Sequence, residues 1–256
     1  MKNKLVFAKQ IVLEAGDYLR LHLHDDLMIS KKTGPTDLVT QMDQQVQKDL
    51  VEKITNRYPE DRIFAEEDGL RSPISEGSVW VIDPIDGTNN FVTQKEDFAV
   101  MVAYFEDGIG RFGLIYDVMR DHLFFGGGEF PVYRNEVELT PFVDQPLENL
   151  LIASNVGMLE KNDWGMADLG MDSLGIRVYG SAGISFSKIL SGGILAYFSY
   201  IWPWDYAAAA IMGEQLGYTV LNLNGDKPNY QTVEPIMMVP KVKLTEIQTY
   251  LKKGRS

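Results

Sequence analysis

Residues 83–91 read DPIDGTNNF and follow the apolar run VWVI, Val79 to Ile82. Two carboxylates, Asp83 and Asp86, flank a proline at the mouth of what the pattern reads as a buried strand. Pro84 fixes φ and lacks an N–H, so the chain is expected to leave the ladder there. The turn can then expose the Ile85 carbonyl and bring Asp86 back beside Asp83. Like charges that close repel each other unless a cation lies between them. Carboxylate and carbonyl oxygens are what a hard divalent ion such as Mg²⁺ takes. Gly87 lets the backbone approach a ligand closely. Thr88 can cap a short helix whose free N–H groups would receive a phosphate. A cation and a phosphate are the ligands this turn suggests.

Two other readings stand beside that one. The turn could be an Asx-turn with a capped helix and no ligand. It could also belong to an aspartyl phosphatase of the haloacid dehalogenase type, which has a strand, an Asp and DGT; its spacing is D-x-D, and here it is D-x-x-D. Four further stretches bear on the choice. IFAEEDG places Glu66 and Glu67 after another apolar run, and WPWD puts Asp205 at the start of an Ala-rich helix. KKTGPTDLVTQMD ends in Asp43, and GSAG spans Gly180 to Gly183. Each alone reads as a solvated acid, a cap or a helix start. All of them in this order are hard to assign to chance.

The elements that must position these residues can be read from periodicity. The pattern predicts a first helix ending near His24–Asp26, with Ala8, Val12, Ala15 and Leu19 on one face. A loop, SKKTGPTD, turns at Gly34–Pro35. A second helix spans Asp43 to Arg57 and stops at Pro59. Ile63–Ala65 and Val79–Ile82 read as strands, Phe98–Phe105 and Gly113–Tyr116 as a meander, and His122–Phe125 as one strand more. In the second half LLIAS, IRVYG, ILAYFSY, YTVLNLNG and IMMVP read as strands. SAGISFSKILSGG, WDYAAAAIMGEQLG and KLTEIQTYLKK read as helices, the second closed by Gly217. Mixed α and β layers follow, an α+β chain. The boundary between halves falls in FVDQPLENL, giving 1–145 and 146–256.

Composition narrows the function classes. The 256 residues are 45% hydrophobic and 23% charged, enough for a sizeable core. A net charge of -12 and the lack of any basic stripe argue against nucleic-acid binding. There is no cysteine, which removes disulfides, thiolate metal sites and cysteine nucleophiles. The N-terminal apolar residues are interrupted by Lys9, Glu14 and Asp17, unlike a signal peptide. No apolar run reaches the length of a membrane span. A soluble, cytoplasmic protein without membrane partners is expected.

AEED, WVIDPIDGTNNF and WDYAAA, joined by TDLVTQMD and the GSA turn, resemble the inositol monophosphatase superfamily of metal-dependent, lithium-sensitive phosphatases. The resemblance runs from about residue 30 to residue 215 and implies the layered αβαβα sandwich of that family, commonly dimeric. It implies that Glu66, Asp83 and the Ile85 carbonyl hold a first metal. Asp83, Asp86 and Asp205 would hold a second, and Glu66 a weaker third, so two or three Mg²⁺ ions. It also implies that Thr88, oriented by Asp43, helps activate the attacking water. Gly87 and Thr88 N–H groups would hold the phosphate, with Asp86, Ala182 and Lys32 at the substrate. The substrate would be a small phosphorylated metabolite of the inositol monophosphate or NADP type, and the enzyme a homodimer.

Departures from the family pattern lie at the substrate. Members that cleave inositol phosphate carry a glutamate shortly before WD, where this chain has Phe198, Ser199 and Tyr200. The G-x-G-A-x-x-N-G segment is altered to GGGEFPVYRNE. The aromatic wall of Tyr197, Phe198, Tyr200 and Trp202 could stack an adenine, or could simply be strand and core. Fructose bisphosphate remains an alternative substrate. A non-catalytic metal-binding regulator is the alternative from another class.

Overall fold

The computed structural model describes residues 1–25, 29–31 and 38–253. In chain order the elements begin with α1 (Lys2–Leu21), β1 (Ile29–Lys31), β2 (Leu38–Thr40), α2 (Gln41–Arg57), β3 (Arg62–Ala65), β4 (Ser78–Asp86) and α3 (Thr88–Thr93). Next come β5 (Ala99–Glu106), β6 (Ile109–Asp117), β7 (His122–Gly127), β8 (Phe130–Arg134) and β9 (Val137–Glu138). The second half holds β10 (Leu151–Ser154), α4 (Val156–Glu160), α5 (Met166–Asp172), β11 (Gly175–Arg177) and α6 (Ala182–Leu190). It closes with β12 (Ala196–Ile201), α7 (Pro203–Gln215), β13 (Tyr218–Asn222), β14 (Glu234–Pro240) and α8 (Leu244–Lys253). Helix α1 stops at Leu21, short of the expected end, and α2 starts at Gln41, two residues early. Strands β8 and β9 lie in the GGGEFPVYRNEVE stretch, whose glycines hide the alternation.

Two sheets carry the architecture. Strands β3 to β9 form one in sequential order, and β11-β10-β12-β14-β13 the other. Period-two alternation sorts the first sheet's side chains into two cores. Trp80, Ile82, Val100, Val102 and Tyr104 pack with Ala8, Val12, Val46 and Leu50 of α1 and α2. Val79, Val81, Ala99, Met101 and Phe105 pack instead with Ile184, Phe186 and Ile189 of α6, and with Trp204, Ala208 and Met212 of α7. That second core also takes Tyr197, Ile236 and Met238 from the second sheet. The far face of that sheet, with Ile152, Phe198 and Met237, packs on Met166, Leu169, Ile247 and Leu251 of α5 and α8. The result is an αβαβα sandwich with α6 and α7 in the middle. No described helix is long and apolar enough to cross a membrane.

The Ala-rich sequence of α7 has a steric reason. A Cβ on Gly113 would lie 2.4 Å from the Ala208 carbonyl oxygen, and one on Gly127 would lie 2.6 Å from that of Ile211. Backbone therefore meets backbone where α7 crosses the first sheet, and only small residues allow it. This close seat fixes the helix N-terminus over the end of β4.

Candidate active site

Parallel pairing of β3 with β4 sets Ala65 opposite Ile82, and the Glu66 N–H donates to the Ile82 carbonyl at 3.2 Å. Glu66 therefore emerges beside Asp83. By parity Asp83 follows Val79 and Val81 onto the face covered by α6 and α7. A residue three further on would point the opposite way in a regular strand. The pairing prevents this. Asp83 pairs with Met101 and Asp86 with Ala99, so β4 spends three steps where β5 spends two. The extra residue is a β-bulge, a place where a proline without N–H is tolerated. The chain thus leaves the ladder at Pro84, as expected, but rejoins it at Asp86. Ile85 turns into the α1–α2 core, while Asp83 and Asp86 share the α6–α7 face.

Asp205 completes the set from the other half of the chain. It is the third residue of α7, not its N-cap, and its Oδ2 accepts the Trp202 N–H at 2.7 Å. One carboxylate oxygen from each of Asp83, Asp86 and Asp205 lies within 4.8 Å of the others. Glu66, half-buried, is not one of the three, but its charge acts on Asp83 and Asp205. Burial pushes the Asp83 carboxyl well above the usual range, reinforced by the charges of Glu66, Asp86 and Asp205. Asp205 is pushed the same way by burial and by Asp86 and Glu66. Asp86 is raised less. Burial raises it, while the Ser181 hydroxyl and two N–H groups of α6 favour its charged form. Ala182 N donates to Asp86 Oδ1 at 3.1 Å and Gly183 N to Oδ2 at 2.7 Å. The donors are all-oxygen, anionic and clustered, which fits Mg²⁺ and offers nothing to a soft metal.

On the other side of the bulge, Thr88 meets α2. Its Oγ1 donates to Asp43 Oδ1 at 2.9 Å and approaches the Ile85 carbonyl oxygen at 3.1 Å. Asp43 is fully buried, and its Oδ2 accepts the backbone N–H and the hydroxyl of Thr40, each at 2.7 Å. This T-x-x-D capping box is legible in the sequence but was not singled out. The cap of α3 is Gly87, not Thr88 as expected, with φ 89°. A Cβ there would meet Ser181 Cβ at 2.9 Å and the Asp97 carbonyl at 3.1 Å, so no other residue fits.

Several partners escaped sequence reasoning. Ser181 caps α6 and donates to Asp86. Gly183 admits Asp86 because a Cβ would stand 3.0 Å from its Oδ2. The Asn90 side-chain amide donates to the Asp97 and Tyr179 carbonyls at 2.9 and 2.7 Å, holding the DGT turn against the GSA turn. Ala182, expected at the substrate, gives its N–H to Asp86. Lys32 lies outside the described residues. Of the aromatic wall, Tyr197 and Phe198 are buried in the cores, whereas Tyr200 and Trp202 are exposed. Ser199 faces inward and accepts the Asn155 side-chain N–H at 3.2 Å.

The sequence profile of the inositol monophosphatase family matches residues 1–253. Inositol-1-monophosphatase of Bacillus subtilis (strain 168) is 36% identical over 225 residues, covering 86% of this chain and 85% of that protein. Among solved structures, staphylococcal IMPase-II with 2'AMP bound superposes with a TM-score of 0.87 at 30% identity, covering 99% and 95% of the two chains. An IMPase/NADP phosphatase complexed with Mg²⁺ and phosphate gives 0.85 at 26% identity, with 97% and 93% covered. Fold and relatives together define a phosphoric monoester hydrolase. The chain belongs to the inositol monophosphatase family.

Proposed function

We propose that this protein is a Mg²⁺-dependent phosphomonoesterase acting on small phosphorylated metabolites. The observation that carries the reading is the convergence of Asp83, Asp86 and Asp205 from two halves of the chain within 4.8 Å. Glu66 and the Ile85 carbonyl complete the donor set we assign to two or three Mg²⁺ ions. Mg²⁺ there would supply the positive charge that acidifies a water and offsets charge on the phosphoryl oxygens. The chain's own residues do the rest. Thr88 donates a hydrogen bond to Asp43, which turns its lone pairs to the attacking water; as the water gives Thr88 a proton, Thr88 passes its own to Asp43. Thr40 keeps Asp43 in place for that task. Gly87, without a side chain, lets its own N–H and that of Thr88 reach the phosphate.

Two substrate types compete. The B. subtilis relative is named for inositol 1-phosphate, while this chain has Phe198, Ser199 and Tyr200 and no acid in the stretch where one would grip the sugar ring. Exposed Trp202, just before Asp205, favours a nucleotide 2'-phosphate such as NADP, whose adenine can stack on an aromatic face. Exposed Met171, Leu174 and Val178 form an apolar stretch suited to a homodimer, which sedimentation would test.

The test is phosphate release from inositol phosphate, fructose bisphosphate, NADP and 2'AMP. Activity appearing with Mg²⁺ and falling with Li⁺ is the expected result. Tight Mg²⁺ binding with no turnover on any of them would instead make the protein a regulator.

A further inference from the structure

The Glu66 loop folds back on β3 and closes on an arginine that is itself exposed. Ala65 N–H donates to the Leu70 carbonyl at 3.0 Å, and Phe64 forms an isolated bridge with Arg71. The Arg71 guanidinium turns back on the loop's own carbonyls. Its Nη1 donates to the Ala65 carbonyl and, at 3.1 Å, to that of Leu70; its Nη2 donates to the Glu66 carbonyl at 3.3 Å. The same guanidinium carbon lies 4.6 Å from the Trp204 ring centroid, 5.7 Å from Phe64 and 6.0 Å from Trp202. Trp202 and Trp204 stack at 4.8 Å, nearly parallel, and the Trp202 N–H holds Asp205 Oδ2. One side chain therefore grips the backbone that carries Glu66 and the ring pair that carries Asp205. These two loops are more than a hundred residues apart in sequence. A planar fork with ring-stacking capacity does this; an ammonium does not.

We propose that Arg71 is a positioning residue: it ties the Glu66 loop to the Trp202–Asp205 turn and so sets how tightly the acid cluster binds a divalent cation. The proposal rests on the reading that these acids hold Mg²⁺. Partners behind metal ligands fix the ligands' direction, and their loss costs about 10–100-fold in metal affinity.

The test is calorimetric titration of the metal-free protein with Mg²⁺, for the wild type, Arg71→Met, Arg71→Lys, Glu66→Gln and the Arg71→Met/Glu66→Gln pair. Arg71→Met should weaken Mg²⁺ binding about tenfold. Arg71→Lys, which keeps the charge and loses the fork, should recover only part of it. With Glu66 already replaced, the Arg71→Met effect should shrink, because the two act as one unit. At saturating Mg²⁺ the KM for substrate should be unchanged. Wild-type Mg²⁺ affinity in both Arg71 variants, or an effect as large in the Glu66→Gln background, overturns the proposal. Should Arg71→Met fail to fold, Arg71→Lys and the Glu66→Gln cycle built on it decide the matter. A wild-type protein that binds no Mg²⁺ defeats the functional reading itself, and that outcome is read from a different sample.

Discussion

Asp86 and Asp205 face each other across the acid cluster, but the walls that hold them differ. On the α6 wall, Asp86 accepts from the Ser181 hydroxyl and from the Ala182 and Gly183 N–H groups, so its negative charge is already satisfied. On the α7 wall, Asp205 accepts one N–H from Trp202, shares a hydrogen bond with Asp83, and otherwise confronts the charges of Asp86 and Glu66. One wall is finished without a cation, and the other is built for one. The difference teaches that equal residue types in one cluster need not have equal roles. Asp86 is anchored by α6, whereas Asp83 and Asp205 carry the raised carboxyls that the proposed cation would relieve.

The largest effect expected is on turnover. Asp83→Asn, at the centre of the cluster, should lower phosphate release by at least ~10³-fold, since it serves both walls. Wild-type rates in that variant would sink the metal assignment. Thr88→Ala should cost about 10²–10⁴-fold in kcat, the usual worth of a positioned proton acceptor, with Mg²⁺ binding by calorimetry unaltered.

Stability measured in EDTA tests the comparison directly. Asp205→Asn should stabilise the metal-free protein by roughly 1 kcal/mol, because it removes repulsion while keeping the Trp202 bond. Asp86→Asn should destabilise it by about 1–3 kcal/mol, because its amide faces donors it cannot satisfy. If both variants shift the melting temperature the same way, the two walls are not different.

The pH dependence carries the same signature. The folded pKa values of Asp83 and Asp205 are raised, so the folded chain holds protons that the unfolded chain releases. Metal-free stability should therefore fall as pH climbs from the ordinary carboxylate value near 3.9 towards the raised folded values. Melting curves with Mg²⁺ should lose this slope, and those of Asp83→Asn should keep only the part that Asp205 contributes. The smallest effect concerns the rim. Trp202→Ala should raise KM for NADP about tenfold and leave that for inositol phosphate unchanged, as loss of one stacked base would.

Much of this was legible in the sequence. D-P-I-D, E-E, W-D and the distant Asp43 marked the acids, and hydrophobic periodicity placed most of the strands and helices around them. The bulge was not legible. Pro84 signals a departure from the ladder, but only the pairing of Asp86 with Ala99 says that the departure lasts two residues, Pro84 and Ile85. Nor did the sequence separate buried Phe198 from exposed Tyr200, because the two share one face of β12 and only the packed helices decide which is covered. Arg71 passed as a loop cation, since its ring and carbonyl partners come from segments that only tertiary packing brings together.

The backbone contact of Ala208 with Gly113 has a consequence for how the protein is made. Asp205 reaches its neighbours only after α7 has docked on a sheet completed long before it in the chain. A nascent polypeptide that has emerged only through the first sheet therefore lacks the third acid of the cluster. Under the proposed function the metal site is completed only when α7 docks, late in synthesis.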